Sequence, residues 1–313
     1  MTKNDHKKAV TAKPFVKWAG GKGNLLNILE SQLPDDFDLQ KKVTYIEPFV
    51  GGGAMLFHML KTHKNIGRVV INDINKDLIR CYLLVKENPQ KLIELLTPFE
   101  QKYHQLSEVA KKTYFYEVRN EYNNMDLDDD HRAAHLIFLN QTCFNGLYRE
   151  NANGGFNVPF GCYKTPKICN IDVIMADHEA LTNVEICCGD YKSVFQHLSI
   201  GYNFIYLDPP YRPLLGLGNF KQYSKCNFGD GEQEELKKFC DRLTARDCRL
   251  MLSNSDSINE DGTSYFENLY NGYFFNKVLA PRFINAYAER REKQIEILIT
   301  NYDNPNKPLP LIL

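Results

Sequence analysis

A short apolar strand, Val43 to Phe49, runs into the glycine turn Phe49-Val50-Gly51-Gly52-Gly53 and then a helical start at Ala54 to Leu60. A second strand, Arg68 to Asn72, ends at Asp73, twenty positions past Gly53, and Leu78, Ile79, Tyr82 and Leu83 follow at the spacing of one helix face. Strand, turn and helix repeated in this way make half of a doubly wound α/β sheet. The pattern resumes with strands at Val184 to Cys187, Phe204 to Leu207, Leu250 to Ser253 and Ile295 to Thr300, and a helix at Glu232 to Ala245. Between the halves, Pro89 to Leu139 reads as helices with a polar break at Asp126 to His131. Leu147 to Pro159 reads as a β-hairpin around Asn153-Gly154-Gly155. The predicted fold is a Rossmann-like parallel sheet made by residues 13–79 and 176–305. A helical subdomain, 80–175, interrupts it and ends in the hairpin, with tails at 1–12 and 306–313.

The glycine turn lets the backbone approach a ligand closely, and Asp73 stands where a carboxylate accepts hydrogen bonds from ribose hydroxyls. A dinucleotide fingerprint needs a third glycine where Leu56 stands, and a P-loop needs Ser or Thr where Gly23 follows Gly21-Lys22. With no pyrophosphate motif, a ribose-bearing, phosphate-free cofactor such as S-adenosylmethionine suits the pattern. Asp208-Pro209-Pro210-Tyr211 sits at the carboxyl end of an apolar strand, where open α/β sheets bind ligands. Asp208 and the Pro209 carbonyl can accept the two N–H bonds of an aromatic amino group, strengthening as positive charge develops there. The two prolines hold that carbonyl in place, and Tyr211 offers a ring for an extruded base.

The formal net charge of -1 gives no global attraction for nucleic acid, so any DNA contact must rest on local cations such as Lys13, Lys17 and Lys22, or Lys164 and Lys167. Nine cysteines without a C-x-x-C pair suggest reduced thiols. No histidine stands at ligand spacing with an acid or cysteine cluster, so no metal is expected. Without a signal segment or an eighteen-residue apolar run, a cytoplasmic protein with no membrane partner is expected.

Several segments together resemble the Dam-type (D12 class) DNA adenine methyltransferases. They are Phe15 to Lys22, Glu47 to Gly53, Asn72 to Asn75, Phe144 to Arg149, Phe156 to Gly161 and Asp208 to Tyr211. The resemblance runs from about Lys13 to Tyr302 and implies methyl transfer from S-adenosylmethionine to adenine N6 in double-stranded DNA, with base flipping. It implies that Trp18, Lys22, Phe49, Gly51, Gly53, Asp73, Asp190 and Tyr191 line the cofactor site and that Asp208, Pro209, Pro210 and Tyr211 are catalytic. Lys17, Phe144, Asn145, Leu147, Arg149 and Pro159 correspond to the DNA contacts of GATC-methylating relatives, with Phe144 as the aromatic wedge. Phe144 stands where tyrosine is common, and Glu150 adds a negative charge to the hairpin. A loop with Phe220, Lys221, Tyr223, Lys225 and Phe228, and a basic segment from Arg282 to Arg291, resemble phosphate-contacting loops. The resemblance also implies a cognate restriction endonuclease that acts on the same site without being a stable subunit. Competing readings are a cytosine-N4 or RNA-base amino methyltransferase, and a catalytically inactive DNA-binding module.

Overall fold

The computed structural model describes residues 10–212, 228–280 and 294–304, so the expected loop residues Phe220, Lys221, Tyr223 and Lys225 and the segment Arg282 to Arg291 lie outside the described residues. Seven strands form one sheet: β1 (Val43–Glu47), β2 (Ile66–Asp73), β3 (Val184–Cys188), β4 (Tyr202–Leu207), β5 (Arg249–Ser255), β6 (Phe274–Ala280) and β7 (Gln294–Thr300). Their order is β3-β2-β1-β4-β5-β7-β6. The first five run parallel, and β7 is antiparallel to both of its neighbours. This is the expected Rossmann-like sheet, mostly but not wholly parallel. β6 is absent from the sequence reading, which is understandable for an edge strand whose first residue, Phe274, is exposed, so that no continuous apolar run marks it.

Helices α1 (Leu26–Ser31), α2 (Ala54–Thr62) and α3 (Lys76–Glu87) belong to the first half. The stretch between β2 and β3 continues with α4 (Pro89–Gln105), α5 (Glu108–Asn124), α6 (Asp129–Thr142) and α7 (Ile171–Leu181). Local chemistry divides this stretch. Asn75, Asn88, Ser107 and Asp128 each accept a backbone N–H at the start of the helix they precede, satisfying donors that the helix itself cannot. The polar break is therefore shorter than expected, because α6 already begins at Asp129. The positions 80 and 175 fall inside α3 and α7. The buried side chains of α4 to α6 also join one apolar cluster with Val43, Tyr45, Val69 and Ile71 of the sheet. On the opposite face, α8 (Asp230–Thr244) and α9 (Tyr265–Leu269) pack Leu236, Phe239 and Phe266 against Ile205, Leu250 and Ile299.

The expected hairpin contracts to a single antiparallel bridge, Glu150 to Phe156, flanked by Asn151 N–H to the Gly155 carbonyl at 2.8 Å and Asn157 N–H to the Arg149 carbonyl at 3.0 Å. The next hydrogen-bonded rung would join Leu147 to Pro159, but Pro159 has no N–H, and the Leu147 N–H turns back to Phe144 at 3.3 Å. In place of a third strand, the Asn123 side chain on α5 takes the outward N–H and carbonyl of Phe156. Among the described residues, no helix is long and apolar enough to cross a membrane.

Candidate active site

The strand order sets the carboxyl ends of β3, β2, β1 and β4 side by side, a row roughly 14 Å wide at ordinary strand spacing. Asp190 and Tyr191 follow β3, Asp73 ends β2, Phe49 and Gly51 follow β1, and Asp208 follows β4. Gly53 has φ +76°, and a Cβ there would lie 2.5 Å from the Tyr82 hydroxyl, so the turn demands glycine. The Gly51 N–H donates to Asp73 Oδ2 at 3.1 Å and the Asn75 N–H to Oδ1 at 2.9 Å. A carboxylate accepts about four hydrogen bonds, so Asp73 is oriented and retains acceptor capacity. Burial pushes its carboxyl above the ordinary range, and these amides oppose the rise. Phe49 stacks on the buried Tyr191 at 5.1 Å between centroids, and the exposed Asp190 caps the following 3-10 stretch by accepting the Lys192 N–H at 2.8 Å.

Around Asp208, two of the other expected residues, Lys22 and Tyr211, converge. Lys22, expected from its sequence neighbours to join a cationic cluster, is instead 4% exposed, with its ammonium 2.9 Å from Asp208 Oδ1 and 2.9 Å from the Gly20 carbonyl. The same ammonium lies 4.6 Å from the centroid of the Tyr211 ring, whose hydroxyl donates to Glu296 Oε2 at 2.9 Å. Burial raises the Asp208 carboxyl, Lys22 opposes that rise, and Glu296 adds to it. No described residue donates to the Pro209 carbonyl, whereas that of Pro210 accepts from Gln233 at 3.4 Å. Glu296 had no role in the sequence reading. Its only signal is an acid amid the apolar residues of β7.

Glu47, at the end of β1, is 2% exposed and accepts the Tyr45 hydroxyl at 2.5 Å. Burial above all, opposed by Tyr45 and reinforced by Asp208, pushes its carboxyl up to about 8. Folded Glu47 therefore holds a proton that the unfolded chain releases near pH 4.5, so stability falls as pH rises from there through about 8. Glu47→Gln, which resembles the protonated form, is expected to flatten this decline and to melt no lower than the parent at pH 8. A melting temperature that declines with pH as steeply as the parent's removes Glu47 as the source.

The expected DNA contacts gather on one surface. Phe144 and Asn145 are exposed, Asn145 has φ +55°, and the Phe144 N–H donates to the carbonyl of exposed Pro159 at 2.8 Å. Asn140 holds the Lys17 backbone through both N–H and carbonyl, at 2.8 and 2.7 Å. Lys17 packs against Gly146, beside partly buried Leu147, where an added Cβ would meet its stem at 2.3 Å. Arg149 donates across the turn to Asn157 Oδ1 at 2.6 Å.

One histidine departs from the sequence expectation. The period of β3 sets Glu185 and Cys187 on one face, and the 3-10 stretch Tyr191–His197 folds back over it. His197 Nδ1 comes 2.6 Å from Glu185 Oε1 and Nε2 3.7 Å from Cys187 Sγ, a group with ligand-capable atoms within 4.8 Å of one another. Arg68 also pairs with this Glu185, at 2.7 Å.

Comparison with known sequences bears on this geometry. Residues 18–282 match the family described as "D12 class N6 adenine-specific DNA methyltransferase". The chain is 43% identical to the Type II methyltransferase M.MjaIII of Methanocaldococcus jannaschii, covering 93% of this chain and 99% of that one. It is 34% identical to the Type II methyltransferase M1.LlaDCHI of Lactococcus lactis subsp. cremoris, over 95% and 98% of the two chains. It is 32% identical to a DNA adenine methylase of Haemophilus influenzae, over 91% and 92%.

Proposed function

Because the chain belongs to the D12 class N6 adenine-specific DNA methyltransferases, we propose that it methylates adenine N6 within GATC in double-stranded DNA, with S-adenosylmethionine as methyl donor and the target base flipped out of the helix. The observation that carries the reading is the Asp208, Lys22 and Tyr211 group at the end of β4, beside the glycine turn and Asp73.

The residues fit the cofactor. Trp18 lies on the glycine turn, and the bare Gly51 leaves 3.1 Å between a would-be Cβ and the Trp18 ring. Asp73, held by two amides with acceptor capacity left over, suits a ribose, and the Phe49 and Tyr191 rings suit an adenine. When bound, S-adenosylmethionine supplies a methyl group activated by its sulfonium. The adenine amino nitrogen is a poor nucleophile because its lone pair is delocalised into the ring. Asp208 and the Pro209 carbonyl accept its two N–H bonds, favour a localised pair, and stabilise the positive charge that grows there. Lys22 opposes the rise that burial imposes on the Asp208 carboxyl and so favours its ionised form. An in-line transfer then needs no covalent enzyme intermediate.

We propose that residues 80–175 serve as the target-recognition unit, with Lys17, Phe144, Asn145, Leu147, Arg149 and Pro159 at the DNA. Arg149 on the bridged turn suits bidentate contact with a guanine, and Arg149→Ala is expected to lose about 1–3 kcal/mol of discrimination at one base pair. Methylation rates across single-base variants of the site check this, and an unchanged preference removes Arg149 from recognition. The names of the Type II relatives support a cognate restriction endonuclease acting at the same site. The membership itself argues for adenine over the cytosine amino group. Labelled methyl incorporation into GATC duplexes and their single-base variants tests the whole reading. N6-methyladenine confined to GATC supports it, another methylated site replaces the recognition sequence, and no incorporation despite cofactor binding favours an inactive DNA-binding module.

A further inference from the structure

We propose that Tyr148 is a positioning residue that couples the cofactor loops to the DNA-facing turn, so that filling either site raises affinity at the other. The inference rests on the function just proposed and concerns a residue to which that reading gives no part.

Tyr148 stands between Leu147 and Arg149, and its ring meets Phe156 edge-on at 5.9 Å. On the cofactor side, it stacks on Trp18 with centroids 4.9 Å apart and planes at 20°. Trp18 in turn lies on the turn after β1, close enough that Cβ atoms on Gly51 and Gly52 would come within 3.1 and 3.3 Å of it. The Tyr148 hydroxyl donates to Glu150 Oε1 at 2.6 Å, and the Asn75 side chain lies near enough to oppose the rise of its phenol. The Asn75 N–H orients Asp73. One side chain therefore touches the loops after β1 and β2 and belongs to the turn that carries Arg149. A ligand that orders one of these segments lowers the entropy left to lose when the second binds, and such coupling is reciprocal.

The coupling is read as the ratio of GATC-duplex affinities with and without S-adenosylhomocysteine, and in reverse as the ratio of S-adenosylhomocysteine affinities with and without duplex. The wild-type ratio is expected near tenfold, within the usual range of roughly 5–150-fold, and equal in both directions. Tyr148→Leu should bring it near one and raise KM for both substrates, while kcat at saturation holds. Tyr148→Phe keeps the stack and should retain most of the ratio. A merely structural role would lower melting temperature without touching the ratio. Trp18 is the only tryptophan, so its fluorescence should change when duplex alone is added to the wild type, a readout that stands even if Tyr148→Leu folds poorly. A wild-type ratio near one, a silent Trp18, or a folded Tyr148→Leu with the parent ratio overturns the inference alone. A wild-type chain that neither binds nor methylates the duplex overturns the proposed function and this inference with it.

Discussion

Asp208→Ala is expected to lower methyl transfer to adenine by about 10²–10³-fold or more, the cost of removing one preorganised partner of developing charge, while S-adenosylmethionine still binds. Cofactor titration separates the two, because Asp73, Phe49 and Tyr191 sit on other strand ends. The substitution also strands the Lys22 ammonium, 4% exposed, with the Gly20 carbonyl and the Tyr211 ring as its remaining partners among the described residues. Leaving one member of a buried pair uncompensated costs about 3–5 kcal/mol, so the variant should also melt early. Asp208→Asn separates the effects by keeping the shape, losing the charge, and still falling in rate. Near-parent turnover in either variant removes Asp208 from the chemistry.

The second large effect is expected from Lys22→Met. Burial already raises the Asp208 carboxyl, and Lys22 is the first force opposing it. Without the ammonium the acid form gains further, so a site that needs the carboxylate should lose activity at neutral pH and recover it as pH rises. The acid limb of the kcat profile therefore moves to higher pH. Stability should suffer less than in Asp208→Ala, because a carboxyl can take up a proton, whereas the stranded ammonium must shed one or remain charged. Combining both substitutions should restore stability relative to Asp208→Ala alone, the non-additive result expected of a coupled pair. An acid limb at the parent's position would mean that Lys22 serves the cofactor only.

What could be read in the chain was what lies close together along it. The glycine turn, Asp73 twenty positions later and the Asp208 tetrapeptide each occupy a strand end, and a strand end with its turn is written in consecutive residues. The partners of Asp208 illustrate the limit. Resemblance set Lys22 at the cofactor site and its neighbours set it in a cationic cluster, but only folding brings it, 186 positions away in sequence, against that carboxylate. Glu296 reaches Tyr211 from β7, and the group of Glu185, Cys187 and His197 closes only because a 3-10 stretch turns back over the edge strand. The hairpin was half legible. Its turn residues lie where expected, with Gly154 at φ +84°. The shortness of the ladder depends on Pro159 and on the reach of Asn123 from another helix.

The apolar cluster shared by α4 to α6 and one face of the sheet bears on how such a chain can change its target. A helical unit with a core of its own could be exchanged between relatives like a cartridge. Here Tyr103, Phe115 and Phe138 belong to one apolar cluster that continues through α3 to residues of the sheet, so a foreign set of helices would disturb packing that the sheet shares. Variation is cheapest at the exposed tip, Asn151 to Asn153, and at surface side chains such as Phe144. On the recognition role proposed above for residues 80–175, divergence in target site should therefore accumulate by single substitutions on a retained frame, with wholesale replacement of the insert rare.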